Sequence, residues 1–368
     1  MPKVSVVLPI YNVEKYISKC LDSVINQTLG DIEIICVNDC STDNSAYIVE
    51  EYMKKDNRVR LINHKENKGL GLSRNTGIYE SSCSYIVFID SDDYISNNFV
   101  EELYNTAIKY NSDIVFTNNI YTVNESTNKI KPYYHNRVSI WNRNYKKSYL
   151  EGISYFNVNT FEKENTPEYP LVVAWNKLYK KDFFLKKNLF FSDFRIAEDV
   201  DMFYRLLLYS PIMSYNNNAK YYYLQRSTSL AGNVSHTNKI PTAILDVFKN
   251  VFNNYNSINK SLLIDSNYYN FISLMHTFNN YKADNKSEFY KMCHNMLKSL
   301  NVEIDRNKHT FMSYSCYIMK TFDNYDVYID KVEYIKEKVF KVAWWIPNIT
   351  LREKYKKVML DKLANKYF

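Results

Sequence analysis

Tyr85-Ile86-Val87-Phe88-Ile89-Asp90-Ser91-Asp92-Asp93 sets five apolar residues directly against three carboxylates. A continuous apolar run of this length, rich in β-branched side chains, fits a strand buried on both faces, the kind found in parallel sheets. Working outward, similar runs recur at Val4 to Leu8, Ile32 to Val37, Val59 to Ile62 and Ile114 to Phe116. Between them lie helical spacings at Val13 to Ile25, Ser45 to Met53, from near Gly71, and at Phe99 to Tyr110. Strand and helix alternate, which predicts an α/β fold: a mostly parallel sheet flanked by helices. Ligands of such sheets bind beyond the carboxyl ends of the strands. The acidic end of the 85–89 run is therefore the first place to look for chemistry.

The rest of the chain has other textures. Residues 121–170 are polar, carry Pro132, Pro167 and Pro170, and are expected to form an irregular insertion. Apolar runs return at 171–230, with a helix from near Glu198. From about 240 the pattern is helical, predicting a catalytic or binding domain over 1–235 and a mainly α-helical region over 236–368.

The 368 residues are 46% hydrophobic and 24% charged, ordinary values for a globular protein. The net charge of +7 is concentrated: residues 331–368 hold ten basic and four acidic side chains. A surplus so small elsewhere argues against nucleic acid as a partner. Six scattered cysteines without a CxxC pair suggest reduced thiols. No apolar run approaches the roughly 18 residues of a membrane span, so a cytoplasmic protein is expected. Val4 to Ile10 reads as a strand and not as a leader.

Three carboxylates at one strand end repel one another, and a hard divalent cation between them and an anionic ligand would relieve this. A turn or helix cap is the competing explanation. Asn38-Asp39-Cys40-Ser41-Thr42-Asp43 follows the second strand. Asp39 can accept hydrogen bonds from a base or sugar, or simply shape a turn, while Ser41 to Asp43 look like a helix cap. Asn67-Lys68-Gly69-Leu70-Gly71-Leu72-Ser73-Arg74-Asn75-Thr76-Gly77 has neither the Rossmann nor the P-loop spacing, which excludes NAD. Arg74, in the first turns of a helix, can reach phosphate or a base edge, or lie on the surface.

Taken together, Pro9-Ile10-Tyr11-Asn12, Val37 to Asp43, Asn67-Lys68-Gly69 with Ser73 to Gly77, and Phe88 to Asp93 resemble the family 2 glycosyltransferases of the GT-A fold. The resemblance implies a nucleotide-sugar donor, most often a UDP-sugar, and inversion at the anomeric carbon. By position it implies that Pro9, Tyr11, Asn12 and Glu14 pack on the nucleotide and that Asp39 binds uracil. Asn67 and Arg74 would lie near base and diphosphate. Asp90 and Ser91 would belong to the donor-binding DxD motif, with Asp92 and Asp90 as ligands of Mn²⁺ or Mg²⁺. In Ala197-Glu198-Asp199-Val200 it implies that Asp199 is the base for the acceptor hydroxyl and that Glu198 contacts the acceptor. A carboxylate at a helix N-terminus also has a plain stabilising role. Trp175 and Lys177 are expected to line the acceptor side; a core tryptophan and a solvated lysine are the alternatives. Arg226 resembles the family's arginine over the donor diphosphate, and His236 a third metal ligand.

The tail places Val332, Ile335, Val339, Phe340, Ala343 and Trp344 at helical spacing, before Arg352, Lys354, Lys356 and Lys357. This suits an interfacial helix on an anionic membrane, or a helix packed on protein with a basic outer face. The function expected is transfer of a hexose or N-acetylhexosamine from a UDP-sugar to a glycan acceptor, lipid-linked in bacterial surface polysaccharide assembly. A degenerate binding module and a sugar nucleotidyltransferase are the rivals.

Overall fold

All seven residues of β1 (Val4–Ile10) are buried, including those that alternate to opposite faces. Such a strand needs cover on both sides, and the helices between strands supply it. The computed structural model describes residues 2–133, 155–157, 171–207, 209 and 211–226, then 247, 250, 286–299, 324–335, 351, 355, 356, 358, 359 and 362. The chain divides into two units, Met1–Thr237 and Asn238–Phe368.

In the first unit β1 is followed by α1 (Ile17–Ile25), β2 (Ile32–Asn38), α2 (Ser45–Met53), β3 (Val59–Asn63), α3 (Leu70–Glu80) and β4 (Tyr85–Phe88). Then come β5 (Tyr94–Ile95), α4 (Phe99–Tyr110), β6 (Ile114–Phe116), β7 (Ile120–Asn124), β8 (Ile130–Pro132) and β9 (Tyr155–Asn157). β10 (Lys177–Lys180), α5 (Lys181–Lys187), α6 (Glu198–Leu207), β11 (Met213–Tyr215) and β12 (Tyr221–Gln225) complete it. The main sheet has eight strands in the order β3-β2-β1-β4-β10-β6-β11-β9. Every pair is parallel except the two made by β10. A smaller sheet has the order β5-β12-β7-β8. The mixed α/β architecture with its mostly parallel sheet is the one expected.

Two details differ from the sequence reading. The segment after residue 120 begins with a regular hairpin, β7 paired antiparallel to β8. Its turn is closed by Asn124, whose Oδ1 accepts from the Thr127 amide at 3.0 Å. The other is β10, a short strand with a lysine at each end that fills the middle of the main sheet. Most of the rest of the polar insertion lies outside the described residues.

Helix α3 lies close on β1 and β2 because Gly77 has no side chain. A Cβ there would sit 2.2 Å from Val7 Cγ1. This approach carries Arg74, one turn earlier on the same face, into the protein between sheet and helix.

The described residues of the second unit are almost all helical, including α7 (Lys286–Ser299) and α8 (Tyr325–Ile335), whose Tyr290 and Tyr325 rings meet at 5.6 Å. Only the first part of the expected tail helix is described; Trp344, Arg352, Lys354 and Lys357 lie outside the described residues. Among the described residues no helix is long and apolar enough to cross a membrane. The five described cysteines are free.

Candidate functional site

Three non-glycine residues hold left-handed backbone at the loops of the sheet's carboxyl edge: Asn12 (φ 52°), Cys40 (φ 63°) and Ala197 (φ 64°). Alanine gains nothing locally from that conformation, so surrounding contacts enforce it. Ala197 immediately precedes Glu198 and Asp199.

The loop after β1 is tied to the start of α2. Asn12 Oδ1 accepts from the Thr42 amide at 2.8 Å, and the Glu14 carboxylate accepts from the Asn44 amide at 3.0 Å. In return Asp43 accepts from the Glu14 amide at 2.9 Å. Asn12 and Glu14 therefore shape this loop, and their polar atoms face α2. Tyr11 is half exposed beside them. Pro9 contributes its carbonyl, which accepts a hydrogen bond from the buried Ser91 hydroxyl at 2.7 Å. Ser91, expected among the donor-binding residues, thus pins the end of β4 to the end of β1.

Asp39 is buried at the end of β2. Its carboxylate accepts from the amides of Lys68 at 2.8 Å and Gly69 at 2.7 Å, and meets His64 Nδ1 at 2.7 Å. Asn67 donates from Nδ2 to the Asp39 carbonyl at 3.2 Å. Gly69 has φ 95°, a conformation open to glycine, and is backed by Arg195. Arg195 donates to Asn67 Oδ1 at 2.5 Å and to its carbonyl at 3.0 Å. The loop preceding α6 is thereby clasped to the loop around Asp39.

Arg74 is the hinge of the site. Its guanidinium, 1% exposed, donates to Glu198 Oε1 at 2.7 Å and to Asp90 Oδ1 at 2.8 Å. Burial opposes its charge, but Asp90, Glu198 and Asp199 outweigh this and hold its pKa above the usual range. Its Nε is buried and has no hydrogen-bond partner among the described residues. Glu198, expected to contact the acceptor, holds Arg74 from the other side. Burial, then the Asp199 charge, push its carboxyl up to about 7 against the pull of Arg74. Asp199 accepts from the Val200 amide at 2.8 Å in the first turn of α6. Part of its residue surface remains open, yet its carboxyl is flanked by protein, and burial raises its pKa despite Arg74.

On the other side of Asp90, Asp93 is buried and accepts from Tyr221 Oη at 2.8 Å and from the Leu224 amide at 2.7 Å. Burial, with the charges of Asp92 and Asp90, lifts it well above a normal carboxylate. Asp92 pairs with Arg226 Nε at 2.7 Å, and among the described residues that Nε proton makes no aligned hydrogen bond. Burial raises Asp92 too, although Arg226 opposes it. The Arg226 guanidinium lies 5.1 Å from the Tyr16 ring, whose hydroxyl bonds Glu125.

Among the described residues no three or more His, Cys, Asp or Glu side chains are grouped to hold a metal ion. Asp90 and Asp92 nevertheless suit Mg²⁺ or Mn²⁺, which commonly takes one or two carboxylates and completes its shell with substrate phosphate and water. His236 lies outside the described residues.

The two acceptor-side expectations are placed deeper than foreseen. Trp175 is 6% exposed and stacks on Tyr221, centroids 4.2 Å apart, and on Tyr223 at 5.7 Å. Lys177 is 1% exposed, which excludes the solvated alternative. Its ammonium donates at 2.6 Å to Leu171 O, Val173 O and Asn176 Oδ1. Burial brings its pKa down to about 7. Both support the segment that leads into β10. His64, Arg195 and the Tyr221–Asp93 pair were not anticipated. Only Arg195, four residues before Asp199, carried a sequence signal, its closeness to the Glu-Asp pair.

Residues 5–179 match the family described as glycosyl transferase family 2. Glycosyltransferase GlyG of Streptococcus pneumoniae serotype 4 is 33% identical over 237 residues, 62% of this chain and 72% of GlyG. The chain belongs to glycosyl transferase family 2. Glycosyltransferase GlyA of the same organism is 38% identical over 229 residues, 62% of this chain but 31% of GlyA. The chain thus spans about a third of GlyA, and it covers less than two thirds of several other curated relatives. The crystal structure of S. aureus TarS 1–349 in complex with UDP-GlcNAc superposes with TM-score 0.68 at 17% identity, covering 91% of this chain and 92% of that one. The GT-A fold follows from that likeness. Family membership argues against the nucleotidyltransferase reading.

Proposed function

We propose that the enzyme is an inverting transferase that moves a hexose or N-acetylhexosamine from a UDP-sugar to a glycan acceptor. The observation that carries this is the Arg74 bridge, which ties Asp90, on the donor side, to Glu198, the neighbour of the candidate base. In this reading Asp39 receives the nucleobase, Tyr11 and Asn67 flank the nucleotide, and Arg226 leaves Asp92 for the diphosphate. Asp199 takes the proton of the acceptor hydroxyl as that oxygen attacks the anomeric carbon. The bond from that carbon to the diphosphate oxygen breaks, and UDP departs with the electron pair. A carboxylate raised by burial is a better proton acceptor at neutral pH than an exposed one. Mg²⁺ or Mn²⁺ held by Asp90 and Asp92 would supply charge neutralisation for the departing diphosphate. The UDP-GlcNAc named for the TarS complex supports a UDP-sugar donor.

The lipid-linked acceptor rests on the basic amphipathic tail alone. The test is a transfer assay over a panel of UDP-sugars and glycan acceptors, with and without anionic vesicles, for wild type and Asp199→Asn. The variant should bind UDP as wild type does and lose transfer. Transfer near the wild-type rate would remove Asp199 from the role of base.

A further inference from the structure

Among the buried ionisable side chains to which the reaction as proposed gives no task, His64 lies beside the candidate nucleobase carboxylate. His64 follows β3, and its amide continues the β2–β3 ladder by donating to the Asn38 carbonyl at 2.9 Å. This backbone bond sets the imidazole beside Asp39 at the end of the neighbouring strand. Both side chains are nearly closed to solvent, at 5% and 4% exposure. Nδ1 meets Asp39 Oδ1 at 2.7 Å, and Nε2 meets Thr76 Oγ1 at 2.9 Å. Thr76 lies on α3, within 3.1 Å of the Leu72 carbonyl.

A carboxylate only accepts, so Nδ1 supplies the proton of its contact. With the Lys68 and Gly69 amides, three donors then converge on Asp39. A carboxylate offers about four acceptor positions, so roughly one remains for a ligand. We infer that His64 is a positioning residue which, anchored on Thr76, fixes the Asp39 carboxylate so that its last acceptor position meets a single N–H of the nucleobase. The inference rests on the proposed nucleobase role of Asp39. A lone N–H beside carbonyls is what uracil presents; cytosine presents an acceptor at that ring nitrogen. The pair therefore bears on the choice of base as well as on affinity.

Two substitutions separate the halves of the imidazole. His64→Asn places an amide N–H near the Nδ1 position and keeps the bond to Asp39. His64→Gln places it near Nε2, keeping Thr76 and abandoning Asp39. UDP and CDP affinities are measured by calorimetry on the full chain, with kcat and KM for the UDP-sugar beside them. A hydrogen bond to a charged group corresponds to roughly a ten- to hundred-fold change in affinity. His64→Gln should weaken UDP by about that factor, narrow the UDP-over-CDP preference, and raise KM more than it lowers kcat. His64→Asn should stay within a few-fold of wild type. Equal effects of the two, or a stronger effect of His64→Asn, would overturn the inference. Asp39→Asn keeps the two failures apart. If it leaves UDP affinity unchanged, the nucleobase reading itself fails. If it weakens UDP while His64→Gln does not, only the role of His64 falls.

Discussion

Replacing Lys177 by methionine tests whether a buried ammonium shapes the stability of the first unit. The side chain is 1% exposed and its pKa is lowered by burial from 10.5 to about 7. A base with a depressed folded pKa favours its neutral form in the native state. Its stabilising contribution is therefore complete above the unfolded pKa of about 10 and is lost as pH falls toward 7. Between pH 7.5 and 9.5 this linkage amounts to roughly 2 to 3 kcal/mol in favour of the wild type at the higher pH. Other groups act the opposite way. Cys20, Cys36, Cys83 and Cys293 are raised by burial, so each destabilises the fold as pH climbs past the thiol range. These contributions are common to both proteins and cancel in the difference. The measurement is urea unfolding by intrinsic fluorescence at several pH values, for wild type and Lys177→Met. The stability difference should shift toward the wild type by that amount between the two pH limits, whatever its value at pH 7.5. A difference that stays constant would show that Lys177 carries no titrating proton in this window, and the burial argument would fail.

Arg74→Met should destabilise the first unit by about 3 kcal/mol, because the buried Glu198 and the partly exposed Asp90 lose their shared partner. Arg74→Lys should recover little, since a single ammonium cannot span Asp90 and Glu198 as the planar guanidinium does; stability close to wild type would contradict the bridge. Gly77→Ala should cost roughly 1 to 3 kcal/mol by overpacking against Val7. Val7→Ala in the same chain should restore much of this in thermal melts, and additive losses would refute the direct clash.

The sequence made the first four strands legible because each is a continuous apolar run ending in polar loop residues. β1, β2, β3 and β4 lie within a residue or two of the expected bounds. β10 escaped notice because a lysine opens it. Lys177 reads as surface until three carbonyl oxygens are found around its ammonium. The β7–β8 hairpin was hidden in a stretch whose composition suggested only a loop, since half-exposed strands of Tyr, Thr and Asn alternate weakly. In the site, the acidic motifs were visible, but their partners were not. That Arg74 bridges Asp90 and Glu198 joins positions 16 and 124 residues away in the chain. His64 had no local pattern at all, because its meaning comes from the strand beside it.

The antiparallel position of β10 has a consequence for biosynthesis. Four strands, β3-β2-β1-β4, can associate as soon as Phe88 has emerged, yet the neighbour that covers the β4 edge ends only at Lys180. At ribosomal speeds of about 5 to 20 residues per second, that edge stays bare for roughly 5 to 18 seconds of translation. Nascent chains in this interval present a flat row of unpaired amides and carbonyls to one another, so slowed elongation before Lys180 should raise the demand for chaperones during synthesis.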